Sequence, residues 1–479
     1  MKQFLQKNKR SLKWIGLAFA IKIPLFLFFA YNFQQNWPYR LVTNNIFIAA
    51  GDTWGYYDPC EAFVKGRGYN SYCRMPGLLP IYALLRIIFD KIWTKIIIII
   101  LQFIVSTISV YALALIAKMI FKTERAFKIT FFLYAISSFV SIWDHFGYAD
   151  SFGVSMMIFS IYFLLKSKTE NKTLPLLLSG LFITWSIFFR PVHGILIPLL
   201  ILIYLIDFKL ILTSLKNITL FCLPFTICIG FWINHNYKLS NRIIVLQGPT
   251  TECFPGITEE MVAIRELITA WGGDIQPWAK GSAGKWFFRP QILSKGENLN
   301  EGNVMTLSYN QDSLVKLRDM FHELKKPQES VAKKDSIRAK LIFTAQEYKN
   351  SYVKENPFNY YFSNRVRVLK NLLIRDRLDD MPFPSITKMS LTQKIVKGGY
   401  FLLLLAVNIL GIIACIITLF RKIKLALLPL IFIFIFSFVL GYIEQRYLAP
   451  VYALNIIFIA YLLDDLATKY FLQKKEKNN

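Results

Sequence analysis

The chain reads as an all-α polytopic membrane protein, and three observations predict it. Of its 479 residues 54% are hydrophobic and 42 are phenylalanine. With a mean hydropathy of +0.40, it is more apolar than a water-soluble domain of this length. Its apolar runs are continuous and reach the roughly 20 residues that a bilayer-crossing helix needs. They do not alternate along the chain, which excludes a transmembrane β-barrel.

Taken in order, the apolar runs fall at 13–31, 78–89, 94–120, 127–143, 149–166, 174–189, 193–206, 215–234, 398–420, 425–443 and 447–464. The first follows the basic stretch from Met1 to Lys13 and lacks a small-residue cleavage site. It therefore reads as an anchor rather than a signal peptide. The run "LLPIYALLRIIF" at 78–89 is too short to span and is interrupted by Pro80 and Arg86.

The basic residues decide how that short run is counted, because lysine and arginine collect in cytoplasmic loops. If it lies at the interface, the loops with Lys118, Lys122, Arg125 and Lys128, and with Lys166, Lys168 and Lys172, fall inside. So do Lys2, Lys7, Lys9 and Arg10, the loop of Arg421, Lys422 and Lys424, and the tail of Lys474, Lys475 and Lys477. The expectation is a bundle of about ten transmembrane helices with both termini cytoplasmic. It divides into a seven-helix module at 1–234, an extracytoplasmic, mainly helical insertion at 235–397, and a three-helix module with a basic tail at 398–479. The first module holds an extracytoplasmic loop with juxtamembrane helices at 32–93.

Helical patterns fill the insertion. "EEMVAIRELITAW" follows Thr258, and "SLVKLRDMFHELKK" starts at Ser313, each offering an N-cap. "SIRAKLIFTAQEYKNSYVKENP" should end ahead of Pro357. "FNYYFSNRVRVLKNLLI", 358–374, mixes aromatic and basic positions and suits a helix lying on a membrane surface.

The net charge of +26 is accounted for by contacts between helix-end cations and anionic lipid headgroups. No RNA-binding aromatic motif or zinc-knuckle spacing accompanies it. The charge implies membrane lipids as partners and no nucleic acid. Among six cysteines, Cys222, Cys228 and Cys415 lie in apolar runs. Cys60 and Cys73 share one polar segment and could form a disulfide on an oxidising side. No CxxC or Cys/His metal spacing is present.

The polar loops assigned to the outer side carry the candidate chemistry. In "GDTWGYYDPCEAFVKGRGYNSYCRMPG", 51–77, Asp52 sits just beyond the first span. Gly66 and Gly68 permit tight turns, and Tyr56 and Tyr57 bring amphipathic rings at headgroup depth. Arg74 suits phosphate, whose oxygens match the guanidinium fork; it could equally snorkel to lipid headgroups. Asp150, near Asp144 and His145, begins a span. It is either a functional carboxylate or an acid stabilised by the helix dipole. Arg190 and His193 flank Pro191 at another outer helix end, where Arg190 could pair with Asp150 or with a ligand phosphate. Glu444 and Arg446 lie between two C-terminal spans and could form a salt bridge or join a site.

A carboxylate, several arginines and aromatic rings at the outer membrane boundary suit a lipid-phosphate substrate whose tail lies in the bilayer. Arginines would hold the phosphate, and the carboxylate would act on the attacking hydroxyl. Phosphate is a good leaving group, so one general base can suffice, unlike glycoside hydrolysis with its second carboxyl acid.

At this point the sequence resembles the GT-C fold glycosyltransferases, in the branch with protein O-mannosyltransferases and aminoarabinose transferases. The shared elements are Gly51-Asp52, Tyr56, Ala62, Gly66-x-Gly68-Tyr69 and Arg74-x-Pro76-Gly77. Later segments, "FFRPVHGILIPLL", "LPFTICIGFWINHNY", "NPFNYYFSNRVRVLKNLL" and "EQRYLAPVYAL", with Glu444, Arg446 and Tyr447, resemble that family too. The resemblance covers both transmembrane regions and is poor across about 250–350. It implies an inverting glycosyltransferase that moves a sugar from a polyprenyl-phosphate-linked donor to an envelope glycan, lipid or protein outside the cytoplasmic membrane.

On that resemblance Asp52 occupies the catalytic position, and Arg74 and Arg446 occupy substrate-phosphate positions. Many relatives carry a second acid beside the first, where this chain has Thr53 and Trp54; Asp58 or Asp150 could substitute. A divalent cation stays open, since aspartates could bind one, but no full ligand set is visible. Two other classes compete with the transferase. A lipid or glycan flippase would need charges buried mid-span and matching broken halves, whereas the mid-span regions here read as nearly charge-free. A sensor or scaffold displaying 235–397 would tolerate changes at Asp52.

Overall fold

The computed structural model describes residues 9–36, 46–49, 52–206, 210–254, 256–277, 281–289, 299, 304–327, 330–374, 383–384, 386–441 and 445–478. Its principal helices are α1 (Lys9–Asn36), α2 (Thr53–Val64), α3 (Leu79–Ile88), α4 (Lys91–Phe121), α5 (Glu124–Ala135), α6 (Asp150–Glu170), α7 (Thr173–Phe189), α8 (Ile211–Ser240), α9 (Glu259–Ala270), α10 (Gln311–Glu323), α11 (Val331–Glu355), α12 (Asn364–Ile374), α13 (Leu391–Phe420) and α14 (Ala449–Asn478). Among the described residues, β-pairing is confined to an isolated bridge between Ile48 and Phe146.

The helix limits follow local chemistry. The Asp90 carboxylate accepts hydrogen bonds from the Ile92 and Trp93 amides and so caps α4. Lys122 then takes a left-handed conformation and ends it. Asn171 ends α6 in the same way. Helix α11 stops at Glu355, two residues before Pro357, as expected. One start differs from expectation. The α10 cap is Asn310, whose side chain accepts from the Ser313 amide, while the Ser313 side chain accepts from the Asn310 amide. Ser313 therefore closes a capping box from inside the first turn rather than capping the helix itself.

Among the described residues, five helices are long and apolar enough to cross a membrane: Lys9–Gln35, Lys91–Phe121, Ile211–Ser240, Leu391–Phe420 and Arg446–Tyr470. The bent pair Glu124–Ala135 and Phe139–His145, with a 50° break, would make six. The expected count of about ten is therefore met by five or six helices of full length among the described residues. Of the other runs, 149–166 forms the 21-residue α6, and three fold into shorter apolar helices, Thr173–Phe189, Pro191–Leu205 and Lys424–Leu440. Pro191 and the π-helical turns at Ile201–Leu205 and Ile435–Leu440 break them up. Helix α3, with 10 residues, rises only about 15 Å and cannot cross. Its Leu84, Ile87 and Ile88 are exposed, as suits a helix lying at an interface.

The chain forms two compact units: Met1–Gly248 with Asp376–Leu430 and Arg446–Asn479, and Pro249–Arg375 with Ile431–Gln445. In the first, α6 packs on α7, α7 on α8, α4 on α5 and α6, and α14 on α13 and α5. Gly180 on α7 makes its contact with α8 possible, because a Cβ there would lie 2.1 Å from the Phe221 carbonyl oxygen. The second unit packs α9 and α10 against α11 around Trp271, Phe287, Leu314, Leu317 and Tyr348. In its 358–374 segment Phe358, Tyr361 and Phe362 remain exposed.

The Cys60–Cys73 pairing is excluded. Cys60 is a free thiol on the buried face of α2, whereas Cys73 is disulfide-bonded, as is Cys253.

Candidate functional site

Asp52 occupies the N-cap position of α2, yet its side chain caps nothing. The carboxylate turns instead to two guanidiniums. Arg74 Nη2 donates to Oδ1 at 2.8 Å, and Arg446 Nη2 donates to Oδ2 at 2.8 Å. The two arginines come from opposite ends of the chain, and the fold brings them to one carboxylate. All three side chains are largely enclosed, with relative exposures of 20%, 11% and 15% for Asp52, Arg74 and Arg446.

Arg74 owes its place to the turns before and after it. Gly66 and Gly68 adopt φ of +75° and +71°, a region open to glycine. The Tyr69 hydroxyl donates to the Arg74 carbonyl. Gly77 lies so close to the end of α7 that a Cβ would sit 2.6 Å from the Phe188 carbonyl group. The Trp185 indole donates to the Gly77 carbonyl at 2.9 Å. Gly55 leaves room for the Arg74 side chain, whose Nε would lie 3.4 Å from an added Cβ.

A second ion pair stands beside the first. Arg190, at the end of α7, donates to Asp150 at the start of α6, and both side chains are 4% exposed. Of the two roles read from the sequence, Arg190 thus takes the pairing one in this structure. Aromatic rings join the pairs. Tyr56 lies under Arg74 at 4.9 Å and under Arg190 at 5.8 Å. Tyr447 lies under Arg190 at 5.9 Å and Arg446 at 5.4 Å, and Tyr148 lies under Arg446 at 5.4 Å. The Tyr56 hydroxyl and Arg190 Nε are buried without a hydrogen-bond partner.

The electrostatics follow from this arrangement. Burial pushes the Asp52 carboxyl up, but Arg446, Arg74 and Arg190 more than offset that and hold it at about 2. Asp52 is therefore an anion across the physiological range. Among the described residues, the cluster brings three guanidiniums together with the carboxylates of Asp52 and Asp150.

Other sequence candidates fall elsewhere. His193 is buried; its Nδ1 shares a hydrogen bond with Ser186 Oγ at 2.7 Å, and its amide donates to the Arg190 carbonyl. It fixes the turn behind Arg190. Asp58 is exposed on α2. Glu444 lies outside the described residues. Asp144 does not join Asp150. It pairs at 2.9 Å with Lys22, in the middle of α1. The expectation of nearly charge-free mid-spans is corrected at that point. Sequence reasoning passed over Lys22 and Tyr148. A lysine inside an apolar run was the available signal for the first. Nothing local marks Tyr148, because its partner Arg446 lies far along the chain.

Fold and cluster together define a class: a helical membrane protein with an arginine-flanked carboxylate at the start of a short helix. Residues 74–233, one third of the chain, match the family model described as dolichyl-phosphate-mannose-protein mannosyltransferase. The match takes in Arg74, Asp150, Arg190 and His193; Asp52, Tyr56, Arg446 and Tyr447 lie outside it. No curated protein matches the chain. Solved structures similar to it are those of the Archaeoglobus fulgidus oligosaccharyltransferase. With a tethered acceptor peptide containing the NVT sequon, that enzyme aligns at 13% identity and a TM-score of 0.49 over 98% of this chain and 51% of its own. The apo form gives 13% and 0.48, over 97% and 52%. Its complex with an inhibitory peptide and a dolichol-phosphate gives 14% and 0.45, over 98% and 52%. The chain spans about half the length of these structures.

Proposed function

We propose that the protein is an inverting glycosyltransferase of the outer face of a cytoplasmic membrane. It moves a sugar from a polyprenyl-phosphate-linked donor to an envelope glycan, lipid or protein. The observation that carries the reading is the Asp52 carboxylate held between Arg74 and Arg446. The family match over 74–233 supports transfer over transport or scaffolding, since that family's description names a dolichyl-phosphate sugar donor and a protein acceptor. The disulfide at Cys73, next to Arg74, supports an oxidising and therefore extracytoplasmic location for this segment.

The chemistry follows from the charges. The donor is a phosphodiester with one negative charge, so it competes with Asp52 for the guanidiniums on equal terms, and the second charge that grows on the phosphate as its bond to the sugar breaks strengthens its hold on them. As it enters, Arg74 and Arg446 turn to the phosphate and release the carboxylate. Asp52 then takes the proton from the acceptor nucleophile. That nucleophile bonds to the anomeric carbon from the side opposite the phosphate, the carbon–oxygen bond to phosphate breaks, and the arginines stabilise the departing anion. Tyr56, Arg190 and Tyr447 line this centre, and Asp150 and His193 hold Arg190 in place. Glu444 belongs to the same Glu-x-Arg-Tyr segment and is assigned to the site by sequence alone.

The reading needs no divalent cation at Asp52 in the ligand-free site. Both carboxylate oxygens carry guanidiniums, and the described residues hold no group of three or more His, Cys, Asp or Glu that could bind a metal. No step is routed through one.

The test is release of polyprenyl phosphate from a polyprenyl-phosphate sugar by the full chain in lipid nanodiscs. Asp52→Asn should lower turnover by about 10²–10⁴-fold, the usual contribution of a general base, with folding unchanged. Undiminished turnover in that variant rejects Asp52 as the base.

A further inference from the structure

The segment that leads into α6 touches the site at three places. Tyr148 lies under Arg446, Asp150 holds Arg190, and the same segment supports the start of α2. Gly147 packs so tightly that a Cβ would lie 2.6 Å from the Phe47 ring and 2.8 Å from Cγ2 of Thr53, the residue after Asp52. The Ile48 amide donates to the His145 carbonyl at 3.0 Å, and the Gly147 amide donates to the Ile48 carbonyl at 2.9 Å. What fixes this segment is a charge pair in the helical core. Lys22 Nζ donates to Asp144 Oδ2 at 2.9 Å and to Ser106 Oγ on α4. Ser151 Oγ on α6, next to Asp150, donates to Asp144 Oδ1. Gln102 on α4 donates to the Trp143 and Phe146 carbonyls, and the His145 ring stacks on Phe26 of α1 with centroids 4.0 Å apart.

We infer that Lys22 and Asp144 are positioning residues of the anion site, and that their buried ion pair sets the register of residues 142–151 against α1, α4 and the start of α2. The inference rests on the lipid-phosphate reading of that site. The physical argument is one of specificity. The two side chains are 2% and 1% exposed, and taking both charges out of water offsets most of their attraction. An apolar pair of similar size would hold the helices as well or better. A charge pair adds direction. Its hydrogen bonds tie α1, α4 and α6 together, Lys22 bonding to Ser106 on α4 and Asp144 accepting from Ser151 on α6, so the pair is fixed in one place. From there Asp150 and Tyr148 reach the arginines, and Ile48 and Thr53 hold Asp52. Neither Lys22 nor Asp144 needs to touch substrate.

The experiment uses the full chain in nanodiscs with three forms: wild type, Lys22→Arg, and Lys22→Met combined with Asp144→Asn. The double variant removes the pair without leaving an unpaired charge in the core. Two quantities are read, the affinity for dodecyl phosphate and amide hydrogen exchange. In the double variant, exchange of the amides at 46–49 and 146–152 should rise at least tenfold while α7 stays at its wild-type rate. Its dodecyl phosphate affinity should fall at least tenfold, and Lys22→Arg should keep both within threefold of wild type. Wild-type exchange at those two segments in the double variant overturns the inference. So does an even rise across all helices, which would mark a purely stabilising pair. If wild-type protein itself fails to bind dodecyl phosphate, the lipid-phosphate reading falls, while the exchange measurement still decides the role of Lys22 and Asp144.

Discussion

At Asp52 the ligand-free site presents a base in its least basic form. The guanidiniums of Arg446, Arg74 and Arg190 hold its carboxyl at about 2, and so weak a base removes a hydroxyl proton poorly. On the proposed mechanism, arrival of a lipid phosphate draws the guanidiniums away and raises that value, so base and leaving-group site become competent together. The pH dependence follows with its sign. The acidic limb of kcat/KM reports the free enzyme and should lie well below pH ~4, whereas the limb of kcat reports the donor complex and should lie higher. Removing one cation favours the neutral acid, so Arg446→Met should move the acidic limb of kcat/KM upward. Initial rates across pH for wild type and Arg446→Met check both. Coincident kcat and kcat/KM limbs in the wild type would mean that the donor leaves the Asp52 ion pairs intact.

At the scale of elements, glycines decide where helices meet. Gly77 brings the Arg74 turn against the end of α7, which carries Arg190. Gly180 brings α7 against α8, well away from the Asp52 cluster. The two positions separate stability from function. A methyl group at Gly180 meets the Phe221 carbonyl oxygen at 2.1 Å, so the helices must part, at a cost of about 1–3 kcal/mol typical of overpacking. Gly180→Ala should lower the thermal midpoint while the surviving folded fraction keeps its donor KM, as read by differential scanning calorimetry and initial rates. Gly77→Ala should raise the donor KM, because a methyl there meets the Phe188 carbonyl at 2.6 Å and Arg74 must move with its turn.

For the whole molecule, the decisive quantity is sidedness. The lysine-rich loops and the acidic, His-bearing loops alternate along the chain. On the positive-inside rule, the proposal expects Asp52 and its arginines outside and the loop at Asn171 inside. Both Asp58 and Asn171 are exposed, so each accepts a label. In intact cells, a membrane-impermeant maleimide should modify an Asp58→Cys variant and leave Asn171→Cys untouched until the membrane is opened. The reverse pattern would put the site in the cytosol and end the proposal.

The sequence by itself determined the class of the molecule, because continuous apolar runs and the placement of lysines respond to the bilayer rather than to any partner in the chain. It also marked Asp52, Arg74, Asp150, Arg190 and Arg446, since carboxylates and arginines in outer loops next to spans are visible without a fold. Its count of about ten spans stays an expectation, because proline and π-helical breaks interrupt several of the later runs. It offered Cys60 as a partner for Cys73, because nearness in sequence says nothing of which face of a helix a thiol occupies. Only the tertiary structure decided that Arg74 and Arg446 share one carboxylate, that Arg190 answers Asp150, and that Lys22 meets Asp144. Each of these pairs joins residues 22 to 394 positions apart. Local propensity cannot choose such partners; the packing of helices that carry them does.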